Sequence, residues 1–337
     1  MIVQQLELEE ITDNAAFEAL RPEWSALWER CPYATPFQSP EWLLPWWKYF
    51  GNGRPFALAL RCEGHLAGIA PFFIFTHEEG ENRVALMGSG ISDYLDIILE
   101  PGLAAPGTGM IFEHLLSERS RWDLCDFQEL RRESPLLAAV PPPGLCAERS
   151  VMEVCPLLEL PETVAAFRSR LTARSRKRLR KTANGLRQRG EITTGHATAA
   201  TLSVFLDALF RLHRAVWEQR GQSGVLADPR LAEFHREVAA GFLGLGWLRL
   251  RVLRLEEKII AALYSFAARG RLYCYLSGFD PGTAPLSPGK FILWGAIEEA
   301  IDEGIREVDF LRGREEYKYL WGPSDRPNFR LIIKKNK

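Results

Sequence analysis

One pattern of β-rich segments occurs twice in this chain, and the repeat limits the possible folds more than any other feature. Two β-rich runs joined by a short turn lie at 56–75 and again at 247–267. In each half they are followed by a third β-rich run, a helix-like segment and a short strand that contains Asp-Phe, at 122–130 and at 306–314. A period of about 190 residues is too long for a solenoid repeat. The repeat therefore predicts two copies of one α/β domain.

The second copy shows the order of elements most clearly. Asp228 followed by Pro229 predicts the start of a helix, because aspartate caps a helix and proline suits its first position. Arg220, just before it, is interpreted as a cation at the end of the preceding helix. Periodicity and turn residues then predict strands at 247–254, 259–268 and 271–278, a loop at 279–288, a helix that ends at Gly304 and a strand at 306–311.

Prolines and charge suggest where the two copies meet. Three consecutive prolines within 136–150 exclude a regular helix or a central strand, so we expect a linker or a surface crossing there. The halves are placed at 1–160 and 161–337. The first contains 11 lysines and arginines against 24 aspartates and glutamates, and the second contains 31 against 19. The second half is therefore the one suited to anionic ligands.

The positive charge is most concentrated in the run Arg168–Arg189, which contains ten arginines and lysines and no acidic residue. As a helix, the run would keep an apolar seam on one side and could pack against the protein. Its cations would then form a solvated face, dock onto the acidic first half, or bind an acyl carrier protein, a nucleic acid or an anionic membrane surface. Nucleic acid is the less favoured partner, because the sequence pI is about 6.6.

Several classes of protein and site are not predicted. No stretch of about 18 apolar residues occurs, so no membrane span is expected. The first residues lack a basic region followed by an apolar run, so we expect a cytoplasmic protein. The six cysteines form no Cys-x-x-Cys pair and the six histidines no His-Glu-x-x-His, so no metal site is expected.

The segment LSPGKFILWGAIEEAI, 286–301, is the motif most suggestive of a binding site. Gly289 would let a phosphate approach the backbone. Lys290 would add a cation in the first helical turn, where a lysine is unfavourable unless an anion is present. The alternative is a solvated lysine at an ordinary helix start. A Walker A motif is excluded, because Phe291 stands where serine or threonine would bind magnesium.

Five segments carry a resemblance to a known family: TPFQSPEWLLPWWKYF (35–50), GSGISDYLDIIL (88–99), SRKRLRKTANGLRQRG (175–190), LHRAVWEQRG (212–221) and LSPGKFILWGAIEEAIDEGIREVDFLRGREEYKYLWG (286–322). They resemble the GNAT acyltransferases. Two such halves resemble the FemAB-like branch, and within it the CelD/BcsL-like acetyltransferases of bacterial cellulose and exopolysaccharide gene clusters. The resemblance implies an α/β fold of two tandem GNAT-like domains, each a mostly antiparallel twisted sheet flanked by helices.

The resemblance also implies an activity. An acyl group, with acetyl favoured, would pass from acyl-CoA to an amine or hydroxyl of a small-molecule or glycan acceptor, without a metal. The donor would be bound at Ser287, Gly289, Lys290 and Phe291. The glycine-rich donor fingerprint of single-domain GNAT enzymes is absent, which keeps other readings open. These are an acyl carrier protein as donor, an aminoacyl-tRNA-dependent FemAB-type transferase, and a non-catalytic GNAT-like protein that binds a ligand or nucleic acid.

Eight further residues are candidates for chemistry or for substrate binding. Strand alternation would place Ser92, Tyr94 and Asp96 on one face and Asp93 on the other, where a carboxylate could act as a base for the attacking group. Each candidate also has a structural explanation as a solvated carboxylate, an ion pair or core packing. The candidates for catalysis are Asp93, Asp96, Asp309 and Tyr317, and those for substrate binding are Gln38, Tyr94, Trp217 and Lys318.

Overall fold

A computed structural model describes residues 5–219, 221–222 and 224–336 of the chain, so Arg220 lies outside the described residues. The chain forms two compact units, Met1–Glu153 together with Pro327–Lys337, and Val154–Arg326. The first boundary thus falls at 153/154 rather than at 160/161. The C-terminal segment belongs to the first unit rather than the second, because it forms a strand that pairs there.

The elements of the first unit alternate between helices and short strands. In chain order they are β1 (Leu6–Ile11), α1 (Asn14–Ala19), α2 (Arg21–Arg30), α3 (Pro40–Phe50), β2 (Arg54–Pro55), β3 (Ala57–Cys62), β4 (His65–Ala70), β5 (Phe72–Thr76), β6 (Asn82–Leu86), β7 (Ile98–Leu99), α4 (Ala104–Ser117), β8 (Leu124–Leu130), α5 (Pro135–Ala138) and β9 (Leu145–Glu159). The chain leaves this unit within β9, so the three prolines precede the boundary rather than form it.

The second unit has longer strands and longer helices. In chain order they are α6 (Val164–Arg170), α7 (Ala173–Arg187), β10 (Ile192–His196), α8 (Leu202–Gln219), α9 (Pro229–Gly244), β11 (Leu248–Leu255), β12 (Lys258–Ala268), β13 (Arg271–Phe279), α10 (Pro288–Asp302), β14 (Glu307–Asp309) and β15 (Ser324–Lys335). The chain returns to the first unit within β15. The meander, the helix start at Asp228-Pro229 and the helix end before Gly304 are confirmed.

The sheets of the two units share one order of strands. In the second unit β10, β11, β12 and β13 are neighbours in antiparallel pairing, β14 is parallel to β13, and the last residues of β9 pair with β14. In the first unit β1, β3 and β4 pair antiparallel, β5 pairs antiparallel with β6, and β8 is parallel to β6 and antiparallel to β15. The predicted α/β fold with mostly antiparallel sheets flanked by helices is confirmed.

The two hairpins also share one irregularity. The register between β3 and β4 shifts at Leu60/Arg61, and that between β11 and β12 shifts at Leu253/Arg254. These two positions lie 193 residues apart (253 − 60), which agrees with the period of about 190 residues in the sequence repeat. Each hairpin then turns at a glutamate with positive φ, Glu63 at 49° and Glu256 at 53°. Since a bulge at one position bends a strand in a defined way, the shared position supports two copies of one hairpin.

A single proline accounts for the main difference between the copies. β12 is one continuous strand, whereas its counterpart in the first unit is divided into β4 and β5 at Pro71. Proline has no N–H for a ladder hydrogen bond and is disfavoured inside a central strand. β4 consequently pairs with β3 and β7 in one sheet, while β5 pairs with β6 and β2 in another. The first unit therefore has two sheets where the second has one.

The third strand predicted for the first unit is largely wrong. Residues 92–97 are irregular, and only Ile98–Leu99 is a strand, so Ser92, Tyr94 and Asp96 do not share a strand face with Asp93 opposite. Aspartates are poor strand residues. Backbone groups of this segment bond instead to side chains or distant backbone: Gln38 Nε2 donates to the carbonyl of Tyr94 at 2.9 Å, and the amide of Leu95 donates to the carbonyl of Glu129 at 3.0 Å.

Each unit has its own apolar core. The core of the first unit includes Phe72, Phe112 and Trp122, and that of the second includes Leu253, Ile292 and Ile297. Among the described helices, none combines the length and the apolar composition that crossing a membrane would need. Helix α10 contains most of the predicted binding motif. It packs against the core of the second unit, and this packing fixes the position of its first turn.

Candidate functional site

Two parallel strands and the helix between them form the frame of the site. β13 pairs with β14 only where Arg271–Tyr273 meets Glu307–Asp309, and the rest of β13 extends beyond this pairing. Because α10 connects two parallel strands, its first turn lies at the edge where both strands end. Open α/β sheets bind ligands at this edge. β13 also contains a bulge at Tyr275, where the register with β12 shifts, and bulges often adjoin active sites.

The first turn of α10 has the predicted start but only part of the predicted role. Ser287 adopts a left-handed conformation, with φ 51° and ψ 51°, and its side chain makes no capping hydrogen bond. Its carbonyl accepts hydrogen bonds from the amides of Lys290 at 3.1 Å and Phe291 at 3.3 Å. Phe291 packs edge-to-face on Trp294, with ring centroids 6.2 Å apart. Of the four residues predicted to bind the donor, Lys290 lines the cleft described next, whereas Ser287, Gly289 and Phe291 do not.

A cleft of about 720 Å³ opens beside the first turn of α10. Its walls come from the end of α6, the first turns of α7 and the segment that follows β14. The residues that line it are Arg170, Leu171, Thr172, Ser175, Arg178, Lys290, Arg314, Glu316, Tyr317, Tyr319, Leu320, Trp321 and Gly322. Four of them are cations and one is a carboxylate. The cleft is therefore suited to an anionic ligand larger than a single small ion.

Three of the four cations have no acidic partner in the described part of the chain. Among the described residues, no carboxylate lies within salt-bridge distance of Arg170, Arg178 or Lys290, whereas Arg314 pairs with Asp325 at 3.1 Å. Burial lowers the pKa of Lys290, and the nearby Arg178 lowers it further, against an opposing effect of Glu316. Like charges held close together without counter-charges favour the binding of an anion.

The helices that border the cleft add to its positive potential. α7 and α10 both begin at the cleft, and neither has an acidic residue in its first turn. Thr172 caps α7 by accepting a hydrogen bond from the amide of Ser175 at 3.1 Å. The start of a helix carries a partial positive charge that attracts phosphates and carboxylates. Two such helix ends and three unpaired cations therefore act on the same cavity.

Trp321 brings a buried hydrogen-bond donor to the cleft. Its side chain is 3% exposed, and its ring lies nearly parallel to that of Phe167, with centroids 6.4 Å apart. Within the described part of the chain, its indole N–H has no hydrogen-bond partner. A buried donor that stays unsatisfied costs free energy, and such donors are rare in folded proteins. An oxygen of a bound ligand would supply the missing acceptor only if the cleft wall shifted on binding, because the nitrogen is covered in this structure.

The rim of the cleft carries the groups that could take part in chemistry. Within the described residues, Glu316 is the one carboxylate that lines it, and Tyr317 is 41% exposed beside it. Tyr319 is also exposed, but its hydroxyl donates to Asp325 at 2.6 Å. The cleft thus combines a carboxylate, which can accept a proton, with a phenol, which can donate one. Among the described residues, no group of three histidine, cysteine or acidic side chains is arranged to hold a metal ion.

Asp309 does not line the cleft, although the sequence predicted it as catalytic. It is fully buried at the end of β14. Its Oδ1 accepts a hydrogen bond from the amide of Leu311 at 2.9 Å, and its Oδ2 lies 3.8 Å from a guanidinium nitrogen of Arg271. Leu311 has φ 58°, which a leucine adopts only when its surroundings hold it there. Asp309 therefore has a structural role in the turn after the strand.

Lys318 has a structural role as well, although the sequence predicted that it binds substrate. Its side chain is 3% exposed and does not line the cleft. Nζ donates to the carbonyls of Leu311 at 3.1 Å, Arg312 at 2.5 Å and Gly313 at 3.2 Å. Asp309 and Lys318 thus both form hydrogen bonds with the backbone of residues 311–313, Asp309 with an amide and Lys318 with carbonyls. This backbone leads directly into the cleft wall at 314–322.

The four candidates from the first unit are buried, and none of them lines the cleft. Gln38 Oε1 accepts from the amide of Thr35 at 2.9 Å, so this side chain closes a capping interaction. The carbonyl of Asp93 accepts from Asn328 at 2.8 Å, and the ring of Tyr94 lies under the guanidinium of Arg131. These contacts explain the burial of Gln38, Asp93 and Tyr94 without a ligand.

Asp96 is the candidate of the first unit with the most unusual electrostatics. Burial raises its pKa to about 7, against the opposing effects of Arg131 and of hydrogen bonds from the hydroxyl of Ser134 and the amide of Ile97. The Ser134 hydroxyl donates to Asp96 at 2.8 Å. A perturbed carboxyl can indicate a functional site, but structural networks perturb carboxyls in the same way. Its catalytic role stays a prediction.

Trp217 also lies away from the cleft. It is a half-buried residue of α8, and its indole N–H donates to Nε2 of His213 at 3.0 Å. A tryptophan that packs on its own helix and bonds one turn back along it needs no substrate to explain its position. These contacts give Trp217 a packing role, and its role in substrate binding stays a prediction.

Sequence reasoning did not single out several residues that line the cleft. Arg170 and Arg178 belonged to the basic run but were not assigned to the site, and Glu316 stood beside Tyr317 without being noted. Two features of the sequence could have indicated Arg170 and Arg178: the absence of acidic residues from the run Arg168–Arg189, and the helix cap at Thr172 between them. Other lining residues that were missed include Ser175, Arg314 and Tyr319.

Comparisons with known proteins agree with this geometry. Residues 173–319 match the model of the acetyltransferase (GNAT) domain. The GNAT match runs from the start of α7 through the strand–helix–strand frame to Tyr319, and so includes most of the cleft. No curated protein sequence is significantly similar to the chain.

Solved structures resemble the whole chain rather than the GNAT segment alone. FemX matches with a TM-score of 0.64 at 10% identity, over 96% of each chain. A conserved protein of unknown function from Bacteroides thetaiotaomicron matches with a TM-score of 0.63 at 13% identity, over 98% of this chain and 100% of that chain. L-PGS from Bacillus licheniformis matches with a TM-score of 0.59 at 12% identity, over 92% and 90%. At these identities the likeness establishes the fold alone.

Proposed function

We propose that this protein is an acyltransferase whose second unit binds an acyl thioester of the acyl-CoA class. The acyl group, with acetyl favoured, passes to an amine or hydroxyl of a small-molecule or glycan acceptor. The observation that carries the proposal is the cleft beside α10. There, three cations without acidic partners among the described residues, Arg170, Arg178 and Lys290, line the same cavity as Trp321, whose buried indole N–H is unsatisfied. The GNAT match, which includes Arg178 and Lys290, supports acyl transfer as the reaction.

The ligand that fits this cleft bears several negative charges and a long uncharged arm. A pyrophosphate needs close cations and free helix ends, and the cleft offers both. The arm that follows would run along β13, which extends past its pairing with β14. A carbonyl or phosphoryl oxygen would accept the hydrogen bond from Trp321. The cleft volume of about 720 Å³ leaves room for a ligand of this size.

The chemistry assigned to the cleft is direct transfer. A thioester is already activated, so the enzyme must hold the reactants and manage two protons. Glu316 takes the proton from the attacking amine or hydroxyl as the new bond to the acyl carbon forms. The carbon–sulfur bond then breaks, and Tyr317 supplies a proton to the departing thiolate. The acceptor is proposed on the resemblance to acetyltransferases of cellulose and exopolysaccharide gene clusters, which favours a cell-envelope glycan.

Replacement of Lys290 tests the donor site. Lys290→Ala removes a charge that faces the cleft, so we expect acetyl-CoA affinity to fall by about 1.5–3 kcal/mol, the cost of a hydrogen bond to a charged group. Turnover at saturating donor should change less, because the lysine binds and does not react. Isothermal titration calorimetry and a thiol-release assay measure the two quantities. Lys181→Ala is the matched control on the outer side of α7. Equal donor affinity in both variants would leave Lys290 as a solvated lysine.

Replacement of Trp321 tests the unsatisfied donor. Trp321→Phe keeps an aromatic ring and removes the N–H, so donor affinity should fall by about 0.5–1.5 kcal/mol, while the melting temperature should stay constant or rise. Trp28→Phe is the matched control, because the N–H of that buried tryptophan is already bonded to the carbonyl of Thr35 at 2.8 Å. The control should lose stability and keep its affinity. If Trp321→Phe lowers the stability and leaves the donor affinity unchanged, the indole N–H does not bind the donor.

A further inference from the structure

The exposed face of α7 is a single-sign surface that the proposed site does not use. Its outward cations are Arg174, Lys177, Arg180, Lys181, Arg187 and, just after the helix, Arg189. None of these six has an acidic partner within salt-bridge distance among the described residues. Elsewhere in the same unit exposed cations pair readily, as Arg168 does with Glu298 at 2.6 Å and Arg236 with Asp207. The six residues are called the α7 face below.

This arrangement is unfavourable for an isolated helix. Cations at spacings of three and four residues repel each other, and each such pair costs roughly 0.2–0.5 kcal/mol. The pairs Arg174/Lys177 and Lys177/Lys181 are of this kind. Cations in the first turn also oppose the helix dipole, and no acidic residue is present there to offset them. A solvated helix face ordinarily mixes both signs, so the α7 face is better suited to an anionic partner than to water alone.

The α7 face adjoins the cleft through the same helix. Thr172, Ser175 and Arg178 line the cleft from the first turns of α7, while Arg174 and Lys177 lie between them on the exposed side. The helix is about 22 Å long at 1.5 Å per residue. A macromolecule that docks on the α7 face therefore sits within one or two helical turns of the cleft. Its position would let it place a donor group there.

The shape and composition of the face favour a protein as the partner. A membrane-bound amphipathic helix turns its apolar side toward lipid, but the apolar seam of α7, Leu179, Ala183 and Leu186, is buried in the unit. The exposed side carries no aromatic side chain on which bases could stack, and the chain as a whole has a pI of about 6.6. A short basic helix face of this kind is complementary to an acidic protein surface.

We propose that the α7 face docks an acidic carrier protein that presents the acyl group on a phosphopantetheine thioester. This inference rests on the proposed acyl transfer and names the source of the donor. The carrier's phosphate would enter the cleft at Lys290 and Arg178. The bonds that form and break are those of the proposed reaction: the acyl carbon bonds to the acceptor, the carbon–sulfur bond breaks, and the thiol remains on the carrier.

The test is a charge-neutral variant of the α7 face, Arg174→Gln/Lys177→Gln/Lys181→Gln/Arg187→Gln. None of these four residues lines the cleft. The matched control removes four exposed cations elsewhere, Arg54→Gln/Arg119→Gln/Arg214→Gln/Arg306→Gln. We expect the KM for acetylated acyl carrier protein to rise at least about tenfold in the test variant only, with the KM for acetyl-CoA unchanged in both. The affinity of the wild type for the carrier should also fall steeply with salt.

Direct binding separates failure of this inference from failure of the proposed function. Fluorescence anisotropy with labelled holo-acyl carrier protein needs no turnover. Binding that the wild type and the control show and the test variant lacks supports docking even if no acyl transfer is detected, and the proposed function would then fail alone. Absence of carrier binding by the wild type overturns the inference. So does a KM for the acetylated carrier that is equal in the wild type and the test variant. The third contradicting result is selective loss of binding to tRNA or phosphatidylglycerol vesicles with carrier binding retained.

Discussion

The Glu316→Gln variant is expected to lose about 10²- to 10⁴-fold in kcat for acyl transfer, the usual contribution of a general base. Glu316 is a carboxylate that lines the cleft, and it stands beside Tyr317 at the rim. Glutamine has nearly the same shape and hydrogen-bonding reach, but it cannot take a proton from the acceptor. Donor affinity should change little, since the cations of the cleft remain. Removing a negative charge from a cationic site could even strengthen donor binding slightly.

A conservative variant distinguishes a base from a residue that only shapes the cleft. Glu316→Asp keeps a carboxylate that can take the proton, so it should retain more of the wild-type kcat than Glu316→Gln does. Glu257→Gln, at an exposed turn away from the cleft, is the control for loss of one carboxylate and should keep the rate. A Glu316→Gln enzyme with wild-type kcat would show that another group, or water, takes the proton.

Much of the fold could be predicted from the sequence, because local signals and tertiary packing agree in the second unit. Alternating and β-rich runs separated by turn residues gave β11, β12 and β13 to within about two residues. The cap at Asp228 and the left-handed glycine at 304, with φ 77°, fixed helix ends by backbone chemistry alone. Because the pattern repeats, the same order of elements could be predicted for the first unit, where the local sequence signals are weaker.

The errors lie where long-range contacts decide the backbone. Residues 92–97 look like a strand, but their backbone groups are bonded by Gln38 and Asn328, which lie far away in the sequence. The C-terminal strand belongs to the first unit because Leu331 and Ile333 enter its core, a choice that no local pattern records. Pro71 lies within the second β-rich run of the first hairpin, and the division of that run between two sheets depends also on pairing partners that the sequence does not show.

The sequence predicted an anion-binding site, but it predicted only some of the residues that line the cleft. A lysine in the first turn of a helix indicated an anion, and Lys290 does line the cleft. Two of the candidates lie in the segment after β14, and of these Tyr317 lines the cleft and Lys318 does not. In a short irregular segment, neighbouring side chains point in directions that depend on each backbone angle, so Glu316 and Tyr317 face the cleft while Lys318 turns inward. No period in the sequence encodes such a pattern.

Lys318→Met should be the most destabilising single change considered for the second unit. Methionine matches the length of the lysine stem and removes only the ammonium group. Three carbonyls, those of Leu311, Arg312 and Gly313, would then lose a charged donor in a buried site. Hydrogen bonds to charged groups contribute about 1.5–3 kcal/mol each and are not additive, so we expect a loss of about 2–5 kcal/mol in the free energy of unfolding.

Thermal and urea unfolding of the variant decide between the structural role and the substrate role first predicted for this lysine. A structural role predicts a melting temperature lowered by about 4–20 °C with no ligand present. Lys258→Met is the control, because that exposed lysine pairs with Asp280 at the surface, where an ion pair contributes at most about 1 kcal/mol. An unchanged melting temperature with a raised KM for the acceptor would instead support a role of Lys318 in substrate binding. The backbone from Leu311 to Gly313 continues into the cleft wall, so loss of the anchor should also loosen Glu316 and lower kcat at temperatures well below unfolding.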